Sequence, residues 1–514
     1  MQTVGALAVT VPCAERSFAA PVKGHFDPTE KSVTALQQAL TSGAVSAEVL
    51  TAAYLARIAR FDQAGPAHHS VLALNPDALA VAQALDAERK AGKVRGPFHG
   101  VPILIKDNVE TADRVPTTAG SLALARSTHK LDAPLVAKLR AAGAIVLGKA
   151  NLSEWANFRS TQSSSGWSAV GGHVRNAYAR DRNPSGSSSG SAVAAAASFC
   201  AAAIGSETNG SILAPCSLNG LVGLKPTKGL VSGQGVVPIS PRQDTAGPMG
   251  RTVMDVAALA AVIAERPLGF GTHGTDIEGF SLRGVRIGAL PMGKLSHPGA
   301  AALYAAARAA LEHDGAIIVD LNAPSAFDEM DEPEFDALLY EFKASINDYL
   351  AGLDAALVPS RTLADLIAFN QAHSAEELPI FGQEIFEQAQ ALGPLTDARY
   401  QKALATLQRT ADVEGLAALL GQQSVELLVA PGNGPAERID EVWGDRRGDG
   451  GWPAIASAAA IAGYPSLTVP AGLIRGLPVG LTFVGNRFQD GLLLQVARAF
   501  ERATGARVPP NLGA

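Results

Sequence analysis

Residues 101–106 read Val-Pro-Ile-Leu-Ile-Lys, an unbroken apolar run closed by a cation. A run of that length without alternation fits a strand covered on both faces. It predicts that the Lys106 ammonium sits at the edge of a packed strand, where lost hydration lowers a lysine pKa. A different period governs residues 46–61 and 76–93, where apolar side chains recur every three or four positions with charges between them. That spacing predicts two amphipathic helices outside the core. Helical runs return at 332–353 and 396–420, within a stretch from about 325 to 425 that is rich in charge, Phe and Leu. This stretch is expected to be a helical excursion. Residues 191–204 are alanine-rich, entered through serines that can cap a helix and left through Gly205, and they predict one helix with a small-residue turn at each end.

Those two turns hold the candidate chemistry. The first reads Pro-Ser-Gly-Ser-Ser-Ser-Gly-Ser at 184–191, the second Gly-Ser-Glu-Thr-Asn-Gly-Ser-Ile at 205–212. If the chain folds back, Ser187 and Ser211 flank a common pocket and Lys106 supplies a base. A flexible Gly/Ser linker is the blander reading of 185–191, but an apolar alanine-rich segment follows at once and no charge run is near. A nucleophile elbow, Gly-x-Ser-x-Gly with Ser188 at its centre, needs a buried strand before it; residues 175–184 are polar and end in proline. It also needs a later histidine, and His273, His297, His313 and His373 lie in no evident catalytic loop. No Cys/His spacing fits a zinc site, so no metal is expected. Asp107 and Asn108 read as braces of the loop after Lys106, and Asp244 as a hydrogen-bonding turn residue.

Composition changes little. With 514 residues, 47% of them hydrophobic, the chain can bury a large core, and length alone permits two to four domains. A net charge of −6 without a basic stripe gives no footprint for nucleic acid, and no apolar run reaches membrane-spanning length. Cys13, Cys200 and Cys216 form no disulfide framework, which fits a reducing compartment, and the cytoplasm is the expected location. Residues 1–28 carry a short apolar patch at 4–11 without a basic start and read as an extended arm.

The segments around Lys106, Ser187 and Ser211, in that order, resemble the amidase signature family of serine hydrolases. The likeness extends through Val-Gly-Leu-Lys-Pro-Thr at 222–227, Asp-Thr-Ala-Gly-Pro-Met at 244–249 and Ala-Gly-Tyr-Pro-Ser-Leu-Thr-Val-Pro-Ala at 462–471, and so covers about residues 28–502. The segments at 151–157, 183–190 and 339–343 are most similar to bacterial peptide amidase-like members. The resemblance implies an α/β fold, a central mixed β-sheet surrounded by α-helices. It implies one catalytic domain at 29–505, with a tail at 506–514. It also implies a Ser-cisSer-Lys triad: Ser211 as nucleophile, Ser187 entered by a cis peptide bond from Gly186 and acting as proton relay, and Lys106 as base.

Ser188 is expected to bond within this cluster. The backbone amides of Thr208, Asn209, Gly210 and Ser211 are expected to form the oxyanion hole. Two departures stand out, since Asn209 replaces the family's common second glycine and Leu213 its arginine, leaving Glu207 without its usual partner. The implied activity is a cofactor-independent amidohydrolase cleaving a small-molecule or C-terminal peptide carboxamide, with a homodimer left open. The alternatives are the amidase component of a tRNA-dependent amidotransferase and a catalytically silent binding protein of the same fold. Trp155 and Trp167 either border the acyl pocket or pack in the core. Tyr340, Phe342, Ile346 and Phe381 are weak candidates for substrate contacts, with helix packing the better reading.

Overall fold

The computed structural model describes residues 25–292, 297–445 and 453–513. Most of the arm expected at 1–28, and Cys13 with it, lies outside them. The apolar run at 101–106 forms a strand as expected, the second of the first six: β1 (Val71–Leu74), β2 (Pro102–Lys106), β3 (Ile145–Ala150), the short pair β4 (Trp167–Ser168) and β5 (Gly172–His173), and β6 (Ala202–Glu207). After them come β7 (Val222–Lys225), β8 (Thr245–Gly250), β9 (Arg286–Ala289), β10 (Ile317–Asp320), β11 (Leu427–Pro431), β12 (Ser466–Ile474) and β13 (Leu477–Gly485). Eleven of these join one sheet in the order β1-β3-β2-β6-β8-β7-β12-β13-β11-β9-β10.

The sheet is mixed. β2 runs parallel to both β3 and β6, β6 antiparallel to β8, and β11 parallel to β9. β2 and β6 are fully buried along their length, which explains why the β2 run shows no polar alternation. Helices cover the sheet, giving the α/β architecture that the family resemblance implied. Among the described residues, no helix is long and apolar enough to cross a membrane.

The two amphipathic patterns near the N-terminus form helices Ala47–Arg57 and Ala78–Lys90. Ser46 caps the first, its side chain accepting from the Val49 amide, and Leu50 and Tyr54 lie on its buried face. Later, helix Asp331–Gly352 is followed by Leu363–Ala372, Glu384–Ala391 and Ala398–Leu407. Phe342 of the first stacks on Phe386 with ring centroids 5.1 Å apart, and both belong to a cluster with Trp155, Leu338 and Ile346.

One expected element is corrected. The alanine-rich stretch at 191–204 is not a single helix: the helix covers Ser189–Ala196, the chain turns through Ser198 at φ 55°, and Ala202 onward is strand β6. Alanine is the best helix former, but propensity is small beside tertiary packing, and here the slot between β2 and β8 overrides it. The slot suits small residues: a Cβ on Gly205 would stand 2.6 Å from the Met249 sulfur and 2.8 Å from the Ser188 hydroxyl. The two serine turns therefore flank a helix and a strand, and the antiparallel return of that strand carries the second turn back beside the first.

Candidate active site

β2 delivers Lys106 to the C-terminal end of a central strand, fully buried between β3 and β6. Its Nζ lies 2.7 Å from the Ser187 hydroxyl, 2.9 Å from the Ser206 hydroxyl and 3.2 Å from the Ser206 carbonyl. Burial lowers the lysine pKa to about 7, although the carboxylates of Glu207 and Asp244 pull the other way. The sequence pointed to Lys106 but missed Ser206, which accepts from it twice. Ser206 is in turn held by the Asn108 amide, whose Nδ2 donates to its hydroxyl at 2.9 Å.

The residues after Lys106 are braced by a buried ion pair, Lys149 Nζ to Asp107 Oδ1 at 3.5 Å. Asp107 also accepts from the Thr118 amide and hydroxyl, and Lys149 donates to the Val109 carbonyl at 2.6 Å and to the Thr117 hydroxyl at 2.8 Å. Asp107 and Asn108 thus brace this loop, as their place in the sequence suggested.

Ser187 stands two residues before the Ser189–Ala196 helix, next to its N-cap Ser188, and the Gly186–Ser187 peptide bond is cis. Ser188 bonds within the cluster: its hydroxyl donates to the Ser206 carbonyl at 3.0 Å and accepts from the Ser206 amide at 3.2 Å, tying the loop to β6. Gly190 permits the close approach that follows. A Cβ there would come within 2.3 Å of the Ser70 carbonyl and 2.4 Å of the Asn151 carbonyl.

The second turn leaves β6 at Glu207 and places Gly210 at φ 85°, a left-handed conformation that favours glycine. Ser211 follows, largely buried, and its carbonyl accepts from the Ser188 amide at 3.2 Å, so the two serine turns are in direct contact. No hydrogen bond joins the Ser211 and Ser187 side chains among the described residues. Leu213 leaves Glu207 without an arginine, and the backbone compensates: one carboxylate oxygen accepts from the amides of Ile212 at 2.7 Å and Leu213 at 3.1 Å.

Neighbouring side chains hold the turn from several sides. The Thr208 hydroxyl donates to Asp244 at 2.6 Å, and Asp244 also accepts from the amides of Ile239 and Ser240. Burial raises the Asp244 carboxyl to about 6. The Asn209 amide group donates to both oxygens of Glu334 at 3.0 Å, a partner far along the chain that sequence reasoning did not find.

A small cleft opens between these groups, lined by Asn108, Ala156, Ser187, Thr208, Val237 and Ile239 among others, and Trp155 borders its continuation. Trp167 instead packs edge-on against Phe381 at 5.1 Å, beneath the Arg159 guanidinium. Tyr340, Phe342, Ile346 and Phe381 are buried in packing, and none lines the cleft.

The Amidase family model matches residues 49–494. A crystal structure of native peptide amidase from Stenotrophomonas maltophilia superposes with a TM-score of 0.86 at 46% identity, covering 95% of this chain and 99% of that one. A probable amidase of Arabidopsis thaliana is 37% identical over 95% of this chain and 92% of its own length. One component of the glutamyl-tRNA(Gln) amidotransferase of Symbiobacterium thermophilum is 34% identical over 92% of this chain and 96% of its own. With that match across sequence and fold, the chain belongs to the amidase signature family of hydrolases, and within it resembles the bacterial peptide amidases.

Proposed function

We propose that the chain hydrolyses carboxamides, C-terminal peptide amides among them, through an acyl-Ser211 intermediate, with Ser187 passing protons between Ser211 and Lys106. The observation that carries this is the Lys106–Ser187 contact: a buried lysine with its pKa lowered to about 7, 2.7 Å from a serine hydroxyl. An ammonium has three hydrogens, enough to serve Ser187 and both oxygens of Ser206. A neutral amine has two, and donating both to Ser206 leaves its lone pair aimed at the Ser187 hydroxyl. Ser206 therefore orients the base.

In acylation, the Ser211 hydroxyl oxygen attacks the amide carbon while its proton moves to Ser187 and the Ser187 proton to Lys106. The negative charge that develops on the carbonyl oxygen is met by backbone amides of the turn at Thr208, Asn209, Gly210 and Ser211. Proton return along the same path converts the departing nitrogen into ammonia or an amine. Water then enters, loses a proton to the relay, and releases the acid from Ser211. The Ser211–Ser187 contact closes when substrate binds, as catalytic hydrogen bonds commonly do.

The higher identity to a peptide amidase than to an amidotransferase component, 46% against 34%, supports a stand-alone hydrolase. The retained Lys106, Ser187 and Ser211 speak against a silent binding protein. Purified chain assayed on aliphatic amides, anilides, carbamates and C-terminal peptide amides, with Ser211→Ala in parallel, is expected to turn over the peptide amides and to lose that turnover in the variant. No turnover of any of these substrates by the wild-type chain overturns the proposal.

A further inference from the structure

We infer that Glu334, at the start of helix Asp331–Gly352, is a positioning residue that holds the oxyanion turn through Asn209 and Gln243; this rests on Ser211 being the nucleophile. Glu334 is buried, and among the described residues it forms no ion pair. Burying a carboxylate is costly unless hydrogen bonds replace its water. Here they do, and they lead to the turn: Asn209 Nδ2 donates to both oxygens at 3.0 Å, and Gln243 Nε2 donates to Oε1 at 2.7 Å.

The same Gln243 nitrogen reaches the Thr208 carbonyl at 3.3 Å, and the other end of the Asn209 amide, Oδ1, accepts from the Ser457 hydroxyl at 3.3 Å. Asn209 directly, and the Thr208 carbonyl through Gln243, are thus tied to the Glu334 carboxylate, while the Thr208 hydroxyl is held separately by Asp244. Gly210 is the swivel of the turn at φ 85°, and on the mechanism proposed above the backbone amides on either side of it meet the substrate oxygen. An unanchored turn at such a swivel can rotate its N–H groups away from the oxyanion. Acceptors that carry charge make stronger bonds than neutral ones, which suits a carboxylate to this task.

Asn209 takes the place of a glycine common in the family, so the side chain that departs from the pattern is the one that supplies the handle. Among the described residues no hydrogen bond joins Glu334 to Ser211 or Ser187, so its effect on the reaction runs through Asn209 and Gln243.

The test compares wild type with Ser211→Ala, Glu334→Ala, Glu334→Gln, Asn209→Gly and the Asn209→Gly/Glu334→Ala double variant, measuring kcat, KM and thermal midpoint on a C-terminal peptide amide. Glu334→Ala is expected to lower kcat by about 10- to 100-fold, below the loss from removing a whole oxyanion donor, with KM within about twofold. Glu334→Gln keeps an acceptor and is expected to recover most of that loss. In the Asn209→Gly background the same Glu334→Ala change is expected to cost at least about threefold less, because residues that act as a unit are not additive.

If Glu334→Ala fails to fold, Glu334→Met, which keeps the volume but removes both acceptors, is compared instead in the wild-type and Asn209→Gly backgrounds, with the same reduction of its effect expected. A kcat within about twofold of wild type in Glu334→Ala, or an equal loss in both backgrounds, overturns the positioning role. Activity retained by Ser211→Ala overturns the nucleophile assignment instead, so the two failures are distinct.

Discussion

Lowering the assay pH is the perturbation that separates a buried basic lysine from an ordinary one. An unperturbed lysine, pKa about 10.4, is neutral in only about one molecule in a few thousand at pH 7. With burial bringing Lys106 to about 7, about half of the enzyme carries a neutral base at that pH, a gain of roughly a thousandfold in the competent form. The sign follows from the role: the neutral amine is active, so activity is present above the folded pKa and lost as pH falls through it.

From pH 8 to pH 6 the neutral fraction drops about tenfold, and kcat/KM is expected to drop with it. Below pH 6 the fall steepens, because Asp244, with its carboxyl raised to about 6, then takes up a proton and ceases to anchor Thr208 and the loop at 239–240 as a carboxylate. The assay is the initial rate of hydrolysis of a neutral peptide amide at low substrate concentration and constant ionic strength, from pH 5 to 9. A profile flat between pH 6 and 8, or a midpoint above 9, refutes the reasoning, since either means that Lys106 is not a base with a burial-lowered pKa.

Three further outcomes are expected. Glu207→Gln removes a negative charge that favours the Lys106 ammonium, so the midpoint of the acid limb of kcat/KM should move to lower pH; an upward shift contradicts the assignment. Ser187→Ala should lower kcat by about 10²- to 10⁴-fold with little change in thermal midpoint, checked by single-turnover kinetics alongside a melting curve. Lys149→Met leaves Asp107 buried without its cation and should destabilise the fold by about 3 to 5 kcal/mol, read from urea denaturation.

Local chemistry made much of the site legible. Lys106 was visible because the run at 101–106 shows no alternation and ends on a charge, a pattern that a strand buried on both faces imposes. The serine turns were visible because tight backbone approach, as at Gly190, selects small residues. The strand at Ala202–Glu207 was not legible, because alanine carries no strand signal and only the slot between β2 and β8 decides its state.

Ser206 was missed for the same reason. Its role depends on β6 lying beside β2, a pairing between residues about a hundred positions apart in the chain. Glu334 was further out of reach. Its bond to Asn209 spans 125 residues, and an acidic residue in the first turn of a helix is ordinarily explained by the helix dipole. The helical run that carries Glu334 was legible; its docking on the nucleophile turn was not.

The central claim is that Ser211 carries the acyl group, and mass spectrometry of the trapped acyl-enzyme tests it most directly. The chain is mixed with a slowly deacylating ester or anilide, quenched in acid during turnover and digested. The expected result is a single acyl mass on the peptide containing Ser211, absent from Ser211→Ala. An acyl group found on Ser187 or Ser188, or undiminished turnover in Ser211→Ala, contradicts it.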